Sequence, residues 1–297
     1  ALFISFSILN IADLSTDGCF TLGCAVCASV TLAGHPVLGL LAAMAAGVCS
    51  GFVTAFLQTR LGIQSILAGI IVNTGLYTIN IAVMGFASNL NLFACDSVFT
   101  WAKDAIGGTW YKLIVAAVIV ALVGVLISLF LNTRLGLSIR ATGDNPDMVR
   151  ASSINTGMMI TIGLCVANAL TGLSGGLLAQ YQKSCDINLG TGMVTIALAS
   201  LIIGETIIGK GSMLKRVIGV ILGSCLYRFI VAVALRLNVP AECLKLVSSI
   251  IVAVAIAFPY LKKQAVFYRQ KRAAKAENEQ YIAELLREER MGKGGNA

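Results

Sequence analysis

The sequence predicts an all-α integral membrane protein with about 8–9 transmembrane helices in two inverted repeats, with broken or re-entrant helices. Of its 297 residues, 57% are hydrophobic and only 12% are charged, and the mean hydropathy is +0.86. Soluble domains carry about 25% charged residues. Apolar runs of spanning length also follow one another along the chain, and runs this long indicate helices, not a β-barrel. The composition therefore excludes a soluble enzyme.

Eight apolar runs set the predicted spans. They cover residues 18–34, 36–57, 64–86, 112–131, 157–182, 193–209, 217–235 and 244–261. A ninth candidate precedes Asp13, where about 12 apolar residues would form a helix roughly 18 Å long. That is short of the ~30 Å hydrocarbon core, so we expect the end of a further span there. We predict a transmembrane domain over 1–261 and a charged, helical, cytoplasmic tail over 262–297.

Basic residues predict the orientation. The net charge is +8, and the charges are spread over loops and the tail, which is not the clustered face of a nucleic-acid-binding domain. One set of alternate loops contains most of them: Arg60, Arg134, Arg140, Arg150, Lys210, Lys215, Arg216, Lys262 and Lys263. The positive-inside rule assigns this set to the cytoplasm. The loop 132–156 and the C-terminus are therefore predicted to be cytoplasmic, in the plasma membrane.

Similar blocks recur 172–176 residues apart. The pairs are residues 12–14 with 185–187, Gly47 and Gly51 with Gly219 and Gly223, and 60–63 with 236–239. They predict repeats over about 1–86 and 157–261. Because the charge rule puts Arg60 inside and Arg236 outside, the repeats are inverted, an arrangement common in transporters. The glycine pairs themselves are typical of close helix packing.

The loop 132–156 contains the signals of a short helix. Asn145 is a good N-cap, Pro146 suits a first helical turn, and Asp147 favours the positive end of the helix dipole. The helix would present Met148 and Val149 to a partner's groove. The predicted docking residues are Arg140, Asn145, Pro146, Asp147, Met148, Val149 and Arg150.

The chain resembles the permease subunits of ABC importers for branched-chain amino acids and simple sugars. Within that family it is most similar to the bacterial branch linked to tryptophan and tyrosine uptake. The residues that carry the resemblance are 12–23, 140–146, 170–182 and 202–205. The resemblance implies a bacterial inner-membrane permease for a small solute, with an aromatic amino acid as the expected substrate. It also implies three partners: a second permease subunit, a cytoplasmic ABC ATPase dimer and an extracytoplasmic substrate-binding lipoprotein.

Polar residues within the spans are candidates for a translocation path. They form two helix faces, Asn73, Tyr77 and Asn80 on one and Asn168, Thr171 and Gln182 on the other. Hydrogen bonds between helices are the alternative explanation for both faces. Asp13, Asp17 and Asp186 flank glycine-rich breaks, where they either cap broken helices or contact substrate. Arg228 lies in the middle of a span, where an unpaired charge is costly, and we expect it to pair with Glu205.

The sequence predicts no cofactor, metal or nucleotide site. There is one histidine, His35, and most of the nine cysteines lie in apolar runs. The stretch 204–211 resembles a phosphate-binding loop but has Gly211 where Ser or Thr must stand, so ATP hydrolysis is left to a partner. A self-sufficient secondary transporter remains an alternative function, and a membrane scaffold is a third. The capped helix and the scarcity of membrane acids favour the importer subunit.

Overall fold

The computed structural model describes residues 1–236, apart from 94, 109 and 210, together with isolated positions between 246 and 278. Residues 1–237 form one compact unit and 238–297 a second. In the first unit, the chain begins with a π-helical turn, Phe3–Ile8, and continues through ten α-helices and two short strands.

The helices follow the apolar runs closely. Their bounds are α1 Thr16–Leu32, α2 Pro36–Thr59, α3 Ser65–Val83, α4 Val98–Ile106, α5 Tyr111–Asn132, α6 Arg134–Asp144, α7 Pro146–Ala151, α8 Thr156–Gln182, α9 Met193–Ile208 and α10 Met213–Arg236. Within the described residues, five of these are long and apolar enough to cross a membrane: α2, α3, α5, α8 and α10. Helices α1 and α9 are apolar but shorter. The predicted all-α membrane fold is confirmed.

Seven of the eight predicted spans are helices in the structure. The eighth, 244–261, the tail 262–297 and the repeat block 236–239 fall largely outside the described residues. The stretch before Asp13 is the π-helical turn followed by non-helical chain up to α1. A second non-helical stretch, 187–192, precedes α9, so both short apolar helices begin after an interruption.

Glycine allows α8 to pack directly against α1 and α2. A Cβ on Gly47 would collide with the Asn168 carbonyl of α8, and one on Gly51 would lie 2.6 Å from the Leu164 carbonyl oxygen. On α1, a Cβ at Gly23 would strike the backbone of Gly172. Such backbone-to-backbone packing replaces hydrophobic burial as the cohesive force between helices in lipid. The three helices form the packed centre of the unit.

The two ends of α8 define two ends of the unit. At one end lie α6 and α7, which we call the α6–α7 end. At the other, strand β1 (Asn89–Asn91) pairs antiparallel with β2 (Ser184–Asp186), with Leu90 opposite Cys185, and we call this the sheet end. These strands are the departure from an all-helical fold within the described residues. With 27 residues in α8, the two ends are about 40 Å apart.

Candidate functional site

The non-helical stretch before α1 is organised around a buried aspartate. Asp13 is 2% exposed. Its carboxylate accepts hydrogen bonds from the Ser15 amide at 2.9 Å, the Ser15 hydroxyl at 2.6 Å and the Asn168 side-chain amide at 3.0 Å. A buried carboxylate needs such donors. Asn168, 1% exposed, therefore ties α8 to the break and is a hydrogen-bond partner of Asp13.

Asp17 links the start of α1 to the non-helical stretch 187–192 that precedes α9. From the first turn of α1 it accepts hydrogen bonds from the amides of Gly192, at 3.0 Å, and Val194, at 2.8 Å, at the start of α9. These are amides that a helix N-terminus leaves without intrahelical partners. Thr21 accepts a further bond from the Gly190 amide at 3.1 Å. One helix thus caps another across the interior, and the capping role expected for Asp17 is confirmed.

Three of the path candidates line one cavity. Asn73, Tyr77 and Asn80, all on α3, face a space of about 510 Å³ that Asp17 and Thr21 of α1 also line. We call it the Asp17 cavity. Asn80 donates to the Gly18 carbonyl at 3.1 Å, and its own carbonyl oxygen is buried with no hydrogen-bond partner among the described residues. Tyr77 is 52% exposed.

A second cavity lies on another side of the same helix start. It measures about 340 Å³ and its lining includes Thr16 and Phe20 of α1, Thr171 of α8, Ser200 of α9 and Arg228 of α10. We call it the Arg228 cavity. Thr171 is buried and donates to the Ala167 carbonyl at 3.1 Å. The first turns of α1 therefore separate two cavities that both carry polar groups.

The structure does not place Gln182 with the other candidates. It is exposed at the last residue of α8. The polar hub at this end is Gln180, which is 1% exposed. Its Nε2 donates to the Pro36 carbonyl at 2.8 Å, and its Oε1 accepts from the Val98 amide at 3.1 Å. Helix periodicity alone missed it, because Gln180 lies on a different face of α8 from Asn168.

The segment at the α6–α7 end has the predicted cap. Asn145 accepts hydrogen bonds from the amides of Asp147 and Met148, both at 3.1 Å, and Pro146 occupies the first turn of α7. Met148 is 68% exposed. Val149, however, is only 4% exposed, so its predicted presentation to a partner is wrong. Consecutive side chains of an α-helix point about 100° apart. In α7, Met148 therefore faces outwards while its neighbour Val149 is directed inwards.

Charged groups flank Met148 on this segment. Arg150 lies 3.7 Å from Asp147, and its Nε donates to the Thr156 hydroxyl at 3.2 Å. Arg140, on α6, is half-buried. Helix α6 was not separated from the loop by sequence reasoning. It adds exposed apolar side chains, Leu135 and Leu137, to the same end.

Helix α6 contacts the first break directly. A Cβ on Gly143 would collide with the Ile8 carbonyl, and a Cβ on Gly163 of α8 would lie 2.5 Å from the Leu9 side chain. Ile8 and Leu9 open the stretch that leads to Asp13. Helix α6 therefore touches the chain segment that leads into α1, and the first turns of α1 border both cavities.

The predicted Glu205–Arg228 ion pair is wrong. Glu205 pairs with Arg216, with Nη2 to Oε1 at 2.9 Å, and the Ser7 hydroxyl bonds both. Helices α9 and α10 form an antiparallel hairpin, so residues at equal distances from its turn lie side by side. Arg228 is therefore level with the start of α9, near Ile196, which is about 13 Å along the axis from Glu205.

Ligating residues are sparse in the described part of the chain. No group of three or more His, Cys, Asp or Glu side chains there could hold a metal ion. The eight cysteines that the structure describes are free thiols.

The fold is that of a multi-pass membrane protein, with two cavities lined partly by polar side chains. The family model for the permease component of branched-chain amino acid transport systems matches residues 1–256, and the chain belongs to this family. It is therefore a permease component of an ABC transport system.

The chain is similar to permeases that are named for different solutes. The tyrosine transport system permease protein of Clostridioides difficile R20291 is 34% identical over 256 residues, covering 86% of this chain and 84% of that protein. The D-allose transport system permease of Escherichia coli K12 is 32% identical and covers 70% and 63%. The ribose import permease of the same strain is 25% identical and covers 82% and 75%. No solved structure matches.

Proposed function

We propose that the chain forms, as a homodimer, the membrane path of an ATP-driven importer for an aromatic amino acid. Its partners are a cytoplasmic ABC ATPase dimer and an extracytoplasmic substrate-binding lipoprotein. The permease spans the lipid bilayer of a bacterial plasma membrane. Its α6–α7 end and its C-terminus face the cytoplasm. The similarity to a tyrosine permease over 86% of this chain supports the substrate class.

The observation that carries the proposal is the exposed, capped helix α7, which packs against α6, the helix that touches the chain before α1. Met148 is an apolar side chain, 68% exposed, at the end of the unit that carries the basic loops. A solvent-facing methionine on a short, charged helix suits insertion into a groove of a partner. Helix α6 touches Ile8 through Gly143. A displacement of α6 and α7 by the ATPase would therefore be transmitted to the stretch that contains Asp13.

The two cavities are the proposed path. Both border the first turns of α1, where the helix is interrupted and backbone groups are available. In transporters, non-helical backbone at membrane depth lines a cavity or is buried in protein. Asn73, Tyr77 and Asn80 would line the path on one side of α1 and Thr171 on the other. Asn168 would hold the break through Asp13, and Gln182 would lie at the mouth of the path.

Two helix pairs of matching length support the inverted repeats. Helices α1 and α9 begin at Thr16 and Met193, and α2 and α10 begin at Pro36 and Met213. Both separations are 177 residues, and α2 and α10 both contain 24 residues. The inversion itself follows from the charge rule that assigns Arg60 and Arg236 to opposite sides.

Reconstitution tests the proposal against a secondary transporter. The permease, the ATPase and the binding protein are placed in liposomes, and tyrosine uptake is measured with and without enclosed ATP. An importer of this kind requires ATP and shows substrate-stimulated hydrolysis. Uptake by the permease alone, driven by a sodium or proton gradient, would reject the proposal.

A charge at the docking helix tests the coupling role. Met148→Asp would place a carboxylate in the partner's groove, and burying an unpaired charge is costly. We expect pull-down of the ATPase by the permease, and transport, to be lost while the thermal stability of the permease is unchanged. Phe93→Asp is the matched control, since Phe93 is also 68% exposed but lies at the sheet end. Normal ATPase retention by Met148→Asp would refute the docking role.

A further inference from the structure

Arg228 is a charged residue within the apolar helix α10. It lies eight residues before the end of α10, about 12 Å inside the helix. It forms no hydrogen bond or ion pair with any residue that the structure describes. Arg216 on the same helix, in contrast, is paired with Glu205. A charge at such depth has to face protein, water or a ligand.

Arg228 is one of the residues that line the Arg228 cavity. The polar side chains around that space are hydroxyls, from Thr16, Thr171, Ser174, Ser200 and Ser224. Among the described residues that line the cavity, none is acidic. Arg228, which is exposed, therefore borders a space of about 340 Å³ whose described lining offers no carboxylate. That volume is within the range of small-molecule sites.

The two aspartates beside the first turn of α1 already accept hydrogen bonds from other groups. Asp13 is bonded to Ser15 and Asn168, and Asp17 to the start of α9. The first residues of α1 and α9, Thr16 and Met193, line the cavity. Helix N-termini carry partial positive charge, and those dipoles add to Arg228, although Asp17 offsets part of the α9 dipole. The cavity is therefore electropositive.

We propose that Arg228 binds the carboxylate of the transported solute. The planar guanidinium can donate two parallel hydrogen bonds to a carboxylate, and the hydroxyls remain for an amino group. Phe20, Met193 and Ile196 supply apolar surface for a side chain. The solute is then a carboxylate of amino-acid size, and a neutral sugar is excluded as the preferred substrate. This inference rests on the proposed function and narrows its substrate class.

Transport by charge variants is the first test. The reconstituted complex is assayed for L-tyrosine uptake with Arg228→Gln and Arg228→Lys, and with Arg236→Gln as the matched control, since Arg236 is exposed at the end of the same helix. Removing a charge-assisted contact predicts a roughly 10- to 100-fold fall in kcat/KM for Arg228→Gln. Arg228→Lys should fall between that variant and the wild type, and Arg236→Gln should stay within about twofold of wild type.

Thiol protection is the second test and reports on binding itself. In a cysteine-free background, Ser224→Cys places a thiol one helical turn from Arg228. L-tyrosine should slow its modification at concentrations at least tenfold lower than L-tyrosine amide does, and ribose should not slow it. Adding Arg228→Gln should remove the difference between the acid and the amide. Equal protection by acid and amide in the Ser224→Cys protein would overturn the inference, as would no protection by either.

The outcomes separate this inference from the proposed function. If wild-type liposomes show no ATP-dependent uptake of tyrosine or ribose, the proposed function fails. If they take up tyrosine and Arg228→Gln does so equally well, only the role of Arg228 fails. ATP-dependent uptake of ribose alone would also reject the carboxylate site while keeping the importer. Loss of folded yield or of ATPase retention in Arg228→Gln would assign Arg228 a structural role and reject the inference.

Discussion

The Glu205–Arg216 pair provides a quantitative test of how the start of the chain is held to the α9–α10 hairpin. The ion pair has an N–O distance of 2.9 Å, with the Arg216 side chain 14% and the Glu205 side chain 21% exposed. Ser7 bonds both partners. Breaking a fully buried pair by removing one partner costs roughly 3–5 kcal/mol. Partial exposure lowers this to about 2–3 kcal/mol for Glu205→Gln or Arg216→Met.

The measurement is the free energy of unfolding in a mixed-detergent titration, for both single variants and the double variant. Once one partner is gone, removing the second relieves an unpaired charge. The double variant should therefore be less destabilised than the sum of the singles, by about 1–2 kcal/mol.

Arg228 provides the matched control for this cycle. Arg228→Met removes the same charge from the same helix, but level with Ile196. Its effect should add to that of Glu205→Gln within about 0.5 kcal/mol. Additivity in the Arg216 cycle combined with coupling in the Arg228 cycle would refute the pairing and the hairpin register.

Three further predictions address topology, packing and coupling. In a cysteine-free background, Asn91→Cys should react with impermeant thiol reagents from outside and Asp144→Cys should not; the opposite pattern would reverse the orientation. Gln180→Leu leaves the Pro36 carbonyl without its side-chain donor and should destabilise the permease by about 1–3 kcal/mol, measured by thermal unfolding against Gln182→Leu, which should change little. Gly143→Ala forces α6 away from the first break and should lower transport per ATP hydrolysed with the ATPase still bound; unchanged stoichiometry would contradict the transmission route.

Local sequence signals predicted local structure well. Spanning runs located α2, α3, α5, α8 and α10 to within a few residues, because hydrocarbon thickness fixes the length of an apolar helix. The Asn145–Pro146 pair predicted the start of α7, because an N-cap acts on amides two and three residues away. Neither feature depends on where another part of the chain lies.

Relationships between helices were harder to predict. The Glu205 partner was misassigned because Arg216 was placed in the loop between the predicted spans 193–209 and 217–235. Helix α10 instead begins at Met213, so its first turn brings Arg216 beside Glu205. Val149 was assigned to the surface because a six-residue helix has too few turns to reveal its inward face. Gln180 was missed because its partners, Pro36 and Val98, are brought to it by α2 and α4, far away in sequence.

Glycine packing divides the unit into two stiff bodies. One contains α1, α2 and α8, joined by Gly23, Gly47 and Gly172. The other is the α9–α10 hairpin, where a Cβ on Gly223 would strike the Ser200 carbonyl. Backbones in such close contact leave little room to slide, so bending inside either body is resisted.

Relative motion would therefore be least hindered along the seam between these bodies. Asp17 bonds across it to the start of α9, and the Arg228 cavity opens along it, with Thr171 on one wall and Ser200 on the other. A small rotation of the hairpin about the Asp17 contacts would change the width of the cavity with no helix changing its internal geometry. Such a rotation would make the volume of the Arg228 cavity depend on the angle between the two bodies.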